Sequence, residues 1–151
     1  MRITVLVIIF LVLNNCGFTP IHSSKGSNYK LISLDKNNNN RLTNYLENSI
    51  RAISNENAQK GLKINLVLEE NISVILKDTK GNPSKNRLSI IVSLIINDAN
   101  DKLIYEKQFN ENFEYDVQDN KFNMKQYEQN IRQNLIQDIS GQILSYLSNL
   151  Q

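Results

Sequence analysis

The sequence predicts an α+β fold, a two-layer sandwich in which two helices pack on one face of a four-stranded sheet, in the order β-α-β-β-β-α. Three patterns predict it. Apolar residues recur at helical spacing in two well-separated stretches, 41–54 and 124–150. They alternate with polar residues in two others, 62–77 and 103–115, as half-buried strands require. Between these lies a strand-length run, 87–96, that is apolar on both parities and so belongs in the middle of a sheet.

The elements follow in order. Tyr29–Leu34 is a short strand, and Asp35–Asn40 a polar loop ending in four consecutive Asn residues. Helix one spans Arg41–Ser54, with Leu42, Leu46, Ile50 and Ile53 on one face. Asn55–Gly61 closes it. In Leu62–Lys77, Leu62, Ile64, Leu66, Leu68, Ile72, Val74 and Leu76 share one parity, with a bend or break expected near Glu69-Glu70. Asp78–Lys85 holds the turn residues Gly81, Asn82 and Pro83. Arg87–Ile96 and Leu103–Tyr115 then form a long antiparallel hairpin about the polar turn Asn97–Lys102. Met124–Leu150 is one long amphipathic helix, lined by Tyr127, Ile131, Leu135, Ile139, Ile143, Leu147 and Leu150. Gly141 interrupts it at a cost of ~1 kcal/mol relative to Ala. Two helices cover one sheet face, which leaves the other polar and open, a candidate binding surface. If strands one and two are parallel, helix one is a right-handed crossover between them.

The first residues have a different character. Met1-Arg2 precedes an uncharged run, Ile3–Leu13. That run is too short for a bilayer, which needs roughly 20 apolar residues. It fits the apolar core of an export signal, roughly 7–15 residues. Leu13-Asn14-Asn15-Cys16 resembles the end of a bacterial lipoprotein signal, usually Leu-x-(Gly/Ala/Ser)-Cys, with Asn15 departing from the small residue expected there. An ordinary signal peptide is disfavoured because no A-x-A-like cleavage site lies near residues 12–22. The reading divides the chain into a signal peptide at 1–15, an acylated N-terminus and tether at 16–28, and a single α+β domain at 29–151. Cys16 is the lipid anchor, carrying diacylglyceryl and an N-acyl chain such as palmitate. Two or more chains, at about 0.8 kcal/mol per buried methylene, hold a domain on a membrane. Gly17 follows Cys16 where inner-membrane retention would place Asp, so the expected location is the outer membrane, facing the periplasm.

Removal of residues 1–15 leaves 136 residues, one domain of ordinary size, with a formal charge of +1 from 16 basic and 15 acidic residues. That balance is no footprint for nucleic acid. Cys16 is the only cysteine, so the fold rests on packing without disulfides. Asn is abundant, at 24 residues, alongside many Lys and Ile; this looks like A+T-rich coding and warns against assigning roles to single Asn residues.

No converging reactive set is legible, and no enzyme, cofactor or metal is expected. His22 is the only histidine and falls in the tether, where nothing rigid would orient it. Glu69 and Glu70 are adjacent, so on a strand they point to opposite faces. One cluster stands out: Lys77, Lys80, Lys85 and Arg87 bracket the Gly81-Asn82-Pro83 turn, where four cations could meet phosphate groups. The plain alternative is a solvated loop, basic because this sequence favours Lys.

Cys16-Gly17-Phe18-Thr19-Pro20-Ile21 resembles the Cys-Gly-Phe-x-Pro-Leu/Ile start of mature LPS-assembly lipoproteins, the LptE family, especially its alphaproteobacterial branch. The order of elements and the Tyr115-Asp116-Val117 region extend the resemblance over most of the chain. The resemblance implies a non-enzymatic outer-membrane lipoprotein that plugs and helps assemble a large β-barrel partner, LptD-like, and aids insertion of lipopolysaccharide into the outer leaflet. It implies two helices on a four-stranded sheet, and it makes lipopolysaccharide a ligand for the basic cluster. The alternative is another small outer-membrane lipoprotein, such as a secretin pilot or an activator of a cell-wall enzyme.

Overall fold

The computed structural model describes residues 27–150. Cys16, His22 and the signal peptide lie outside the described residues, as does all but the last part of the tether. The elements are β1 (Tyr29–Lys36), α1 (Arg41–Ile53), β2 (Lys60–Lys77), β3 (Pro83–Asn97), β4 (Leu103–Asp116) and α2 (Lys121–Ser148). The four strands form one sheet in the order β1-β2-β3-β4. β1 is parallel to β2 and connected to it through α1, while β2–β3 and β3–β4 are antiparallel.

Both helices begin on an asparagine. At α1 the Asn40 side chain accepts from the amides of Leu42 and Thr43 at 2.9 Å each, and Thr43 Oγ1 accepts from the Asn40 amide at 3.1 Å. This reciprocal cap satisfies donors that would otherwise be left open. Asn120 does the same for α2 through the amides of Phe122 and Asn123. Helix α1 ends at Ser54, whose extended backbone leads toward β2. Its core face is Leu46, Ile50 and Thr43, all buried, with Leu42 and Ile53 half-buried beside them.

Helix α2 runs unbroken through Gly141. Its buried row is Ile131, Leu135, Ile139, Ile143 and Leu147, with Ile136 and Ser140 alongside. Four residues advance by about 400°, so a row at this spacing slants around the helix. The slant carries Tyr127 out to 37% exposure, and Leu150, which the sequence placed in the helix, lies past the cap at Asn149 and is half-buried.

The two helices share one face of the sheet. There the even-numbered residues of β2 from Leu62 to Leu68 and of β3 from Leu88 to Ile96 are buried, and Phe109 and Tyr115 of β4 complete the core. The register places Phe109 opposite Val92, and Val92 opposite Leu68. Ionic contacts tie the layers together. Lys36 of β1 meets Glu47 of α1 at 2.6 Å, and Arg132 of α2 reaches Glu70 of β2 at 2.7 Å.

Two expectations are refined. β3 is interior to the sheet, but only its even-numbered face is fully buried. Ile91 and Ile95 point to the bare face and are half-covered, because no second layer lies there. β2 is not broken at Glu69-Glu70; it runs to Lys77, and its register slips at Ile75, between Val74 and Leu76.

Candidate interaction surface

The bare sheet face is largely amide and hydroxyl. Cross-strand rows there join Val67, Ser93 and Gln108; Glu69, Ile91 and Asn110; Asn71, Ser89 and Asn112; and Ser73, Arg87 and Glu114. Strand parity on three strands puts them on one side.

The basic cluster sits at one end of this sheet. Lys85 and Arg87 are successive bare-face residues of β3, Lys77 lies opposite Pro83 at the end of β2, and Lys80 is in the connecting turn. The register reveals what the linear sequence hid: β4 brings carboxylates against two of the four cations. Arg87 pairs with Glu114 at 2.6 Å and Lys85 with Asp116 at 3.8 Å. Lys77 and Lys80 have no carboxylate partner among the described residues. Exposed pairs of this kind are worth about 0–1 kcal/mol, so they lower the local positive charge more than they stabilise the fold.

The turn itself is tightly organised. Asp78 accepts from the amides of Lys80 and Asn82 at 2.8 Å each, and these bonds to its carboxylate, led by that of Asn82, hold its pKa below the usual carboxylate value. The Gly81 amide donates to the Asp78 carbonyl at 3.0 Å, with Gly81 at φ 86°. The β3–β4 turn repeats this plan. Asp98 accepts from Asn100 and Lys102, and Asp101 takes the left-handed position at φ 64°.

Near the basic end the sheet outruns its covering. β1 stops at Lys36, opposite Leu66, and Asn37 seals the exit: its side chain donates to the Leu68 carbonyl at 3.0 Å and accepts from the Leu68 amide at 3.1 Å. Beyond it, residues 69–77 of β2 have no strand on their outer side. Ile72 and Val74 continue the helix-side row, yet are 41% and 48% exposed, while Leu76, 53% exposed, lies past the slip opposite Lys85 on the bare face. The alternation predicted an apolar face here; the helices bury the neighbouring Leu88 and Ile90 of β3 but stop short of the outer edge of β2.

Along the opposite edge, a groove of about 850 Å³ runs between β4 and α2, with Lys107, Glu111, Gly141, Gln142 and Tyr146 among its walls. A second depression of about 300 Å³ between Phe113 and Tyr127 shares Asp138 with it. Lys107 Nζ stands 4.4 Å from the Tyr146 ring centroid, and Gln142 donates to Glu111 at 2.5 Å. Among the described residues, no set of three or more His, Cys, Asp or Glu side chains gathers as a metal site, and no helix is long and apolar enough to cross a membrane.

These features define a class: a small two-layer α+β domain whose distinctive surfaces are a bare sheet face, an uncovered outer stretch of β2 and an open strand edge. Solved bacterial lipoproteins share the fold. Rare lipoprotein B from Shewanella oneidensis superposes with a TM-score of 0.59 at 14% identity, covering 78% of this chain and 92% of that one. The lipoprotein B of Nitrosomonas europaea gives 0.62 at 13% identity over 82% and 87%. A minor lipoprotein from Acinetobacter baumannii gives 0.57 at 19% identity over 79% and 90%. At these identities the likeness is one of fold. No family model matches the chain, and no curated protein matches it.

Proposed function

We propose that this chain is a non-enzymatic outer-membrane lipoprotein, anchored through acylated Cys16, that plugs and helps assemble a large β-barrel which inserts lipopolysaccharide into the outer leaflet. The observation that carries the reading is the fold. The proteins that share it across most of their length are described as lipoproteins, and this chain carries the Leu13-Asn14-Asn15-Cys16 junction ahead of that fold. The Cys-Gly-Phe-x-Pro resemblance supplies the barrel and lipopolysaccharide part. A bare face of amides and hydroxyls suits a barrel lumen, which is polar.

The basic end takes a narrower form than the sequence implied. Lys77 and Lys80 offer their ammonium groups to lipopolysaccharide phosphates directly, whereas Lys85 and Arg87 must first exchange Asp116 and Glu114. Reversing the charge of Lys77 and Lys80 is expected to weaken lipopolysaccharide binding more than reversing Lys85 and Arg87.

The test is detergent extraction with a tagged full chain. Expected are co-purification of a large β-barrel, a triacylated Cys16 by mass spectrometry, and reduced surface lipopolysaccharide on depletion. A chain that purifies alone from cells with normal surface lipopolysaccharide after depletion overturns the barrel reading. Recovery of a secretin or a cell-wall enzyme instead selects the alternative lipoprotein role.

A further inference from the structure

β4 is the last strand of the sheet, and its outer backbone edge has no partner among the described residues. Edge strands usually blunt themselves by shortness, proline or a bulge. β4 has 14 residues and no proline, and its register against β3 slips only at its first residues, opposite Asn97. It does carry charges, but their arrangement is self-complementary rather than repulsive.

We infer that the β4 edge pairs with the β4 edge of a second copy of this chain, antiparallel and centred on Phe109, joining two four-stranded sheets into one. A two-fold axis perpendicular to the sheet keeps helix-side residues opposite helix-side residues. Centring on Phe109 then places Lys107 opposite Glu111 and Tyr105 opposite Phe113, each twice. On the bare face, Gln108 meets Asn110 and Glu106 meets Asn112. Neighbouring registers fail. Centring on Lys107 or Glu111 opposes like charges at the axis, and centring on Asn110 opposes Glu106 to Glu114. Centring on Gln108 leaves Tyr105 facing Glu111 and Lys107 facing Phe109. Opposite charges and aromatic pairs across strands are favourable, and directly opposed like charges are not. Tyr105 and Phe113, 36% and 45% exposed, gain cover in the favoured register.

Helix α2 fits the same arrangement. It lies over β3 and β4, and strands are about 4.8 Å apart. Two copies joined at β4 would therefore set their α2 helices antiparallel at roughly 10 Å, a normal packing distance. Gly141 lines the β4–α2 groove, and a Cβ built there meets no atom within 4 Å. A mid-helix glycine costs ~1 kcal/mol relative to Ala, and nothing among the described residues fills the space it leaves. An approaching helix does. This pairing does not depend on the barrel reading.

The test is sedimentation equilibrium on the full chain in detergent. The wild type is expected to self-associate as a dimer. Lys107→Glu and Glu111→Lys each oppose like charges at two places and weaken self-association by at least roughly tenfold. An equimolar mixture of the two variants re-forms dimers. There the new carboxylate of one faces the new ammonium of the other, and the native Glu111 of the first faces the native Lys107 of the second. The chain carrying both exchanges also dimerises. Lys107→Glu removes the Lys107–Tyr146 contact within its own chain in every mixture, so recovery cannot arise from it. A wild type that stays monomeric at every concentration, single variants that dimerise as well as wild type, or a mixture that fails to recover overturns the inference.

Discussion

At the residue scale, several asparagines that composition alone would dismiss hold the fold together. Asn37 imitates a strand residue where β1 ends, making both of its side-chain bonds to the Leu68 backbone. Asn37→Ala leaves those two β2 groups to solvent and is expected to cost about 1–2 kcal/mol in urea unfolding. Two tyrosines predict the alkaline limb of stability. Burial, with a lesser push from the hydrogen bond to Glu128, raises the Tyr115 phenol from its ordinary value near 10 up to about 12. Burial alone raises Tyr29 further, and its hydroxyl has no partner among the described residues. A raised folded pKa means the folded state resists ionisation. The stability these groups contribute is therefore complete below pH 10 and is lost as pH rises from there toward 12 and beyond. Tyr29→Phe is expected to shift alkaline unfolding, followed by circular dichroism, to higher pH. At neutral pH it should be neutral or stabilising, because a buried unpaired hydroxyl costs about 1–3 kcal/mol. Unfolding at the same alkaline pH in both proteins would show that Tyr29 ionises freely.

At the element scale, periodicity places four of the six elements, α1, β2, β4 and α2, because a buried face imprints its period on the sequence whatever the residues' own propensities; β3 shows instead as a strand-length run apolar on both parities, and β1 only as a short strand. Ends were less legible. β3 begins at Pro83 rather than Arg87, and α2 at Lys121 rather than Met124. Those added residues are polar or exposed, and backbone pairing and the Asn120 cap, not burial, set them. The likeness of the two hairpin turns was also hidden. Asp-Thr-Lys-Gly-Asn and Asp-Ala-Asn-Asp-Lys share only the opening Asp, yet adopt one plan. Glycine reaches the left-handed region freely, whereas a side chain there costs roughly 1–2 kcal/mol. Gly81→Ala is accordingly expected to destabilise by about 1 kcal/mol, since nothing but backbone conformation opposes the new Cβ. Asp101→Gly relieves the same strain but forfeits the 2.7 Å bridge to Lys63, an exposed pair worth about 0–1 kcal/mol. Its net effect should be stabilising by under about 1 kcal/mol. Thermal melts of the two variants should move in opposite directions; a common direction would mean that the turns are not equivalent.

At the scale of the whole molecule, the two ends of the sheet are built differently. One end lies under both helices and beside β1. At the other, β2 beyond Leu68 has neither β1 beside it nor a helix above it, although α2 still buries its β3 neighbours Leu88 and Ile90; this stretch bears Ile72 and Val74 on the helix side, while Leu76, past the register slip, joins Lys85 and Arg87 on the bare side. Sequence reasoning found the four cations because Lys and Arg are visible in a string. It missed Glu114 and Asp116 as their partners because β4 comes within reach only through the register. It put Ile72 and Val74 on the apolar face because alternation reports which side a residue takes and not whether anything lies above it, and it put Leu76 there too because the slip at Ile75 is invisible in the string. That difference makes the strip testable. Ile72 and Val74 are each roughly half exposed already, so replacing both by Thr, which keeps strand preference, should cost only about 0.5 kcal/mol apiece in unfolding. Natural surfaces seldom leave such residues bare in a row without a partner. If this uncovered stretch of β2 is what enters the barrel, the double variant folds nearly as stably as wild type but recovers much less barrel in detergent pull-downs. Equal recovery would remove the strip from the interface while leaving the bare sheet face as the contact. A collapse in stability would instead mean that the two side chains are core to this chain after all.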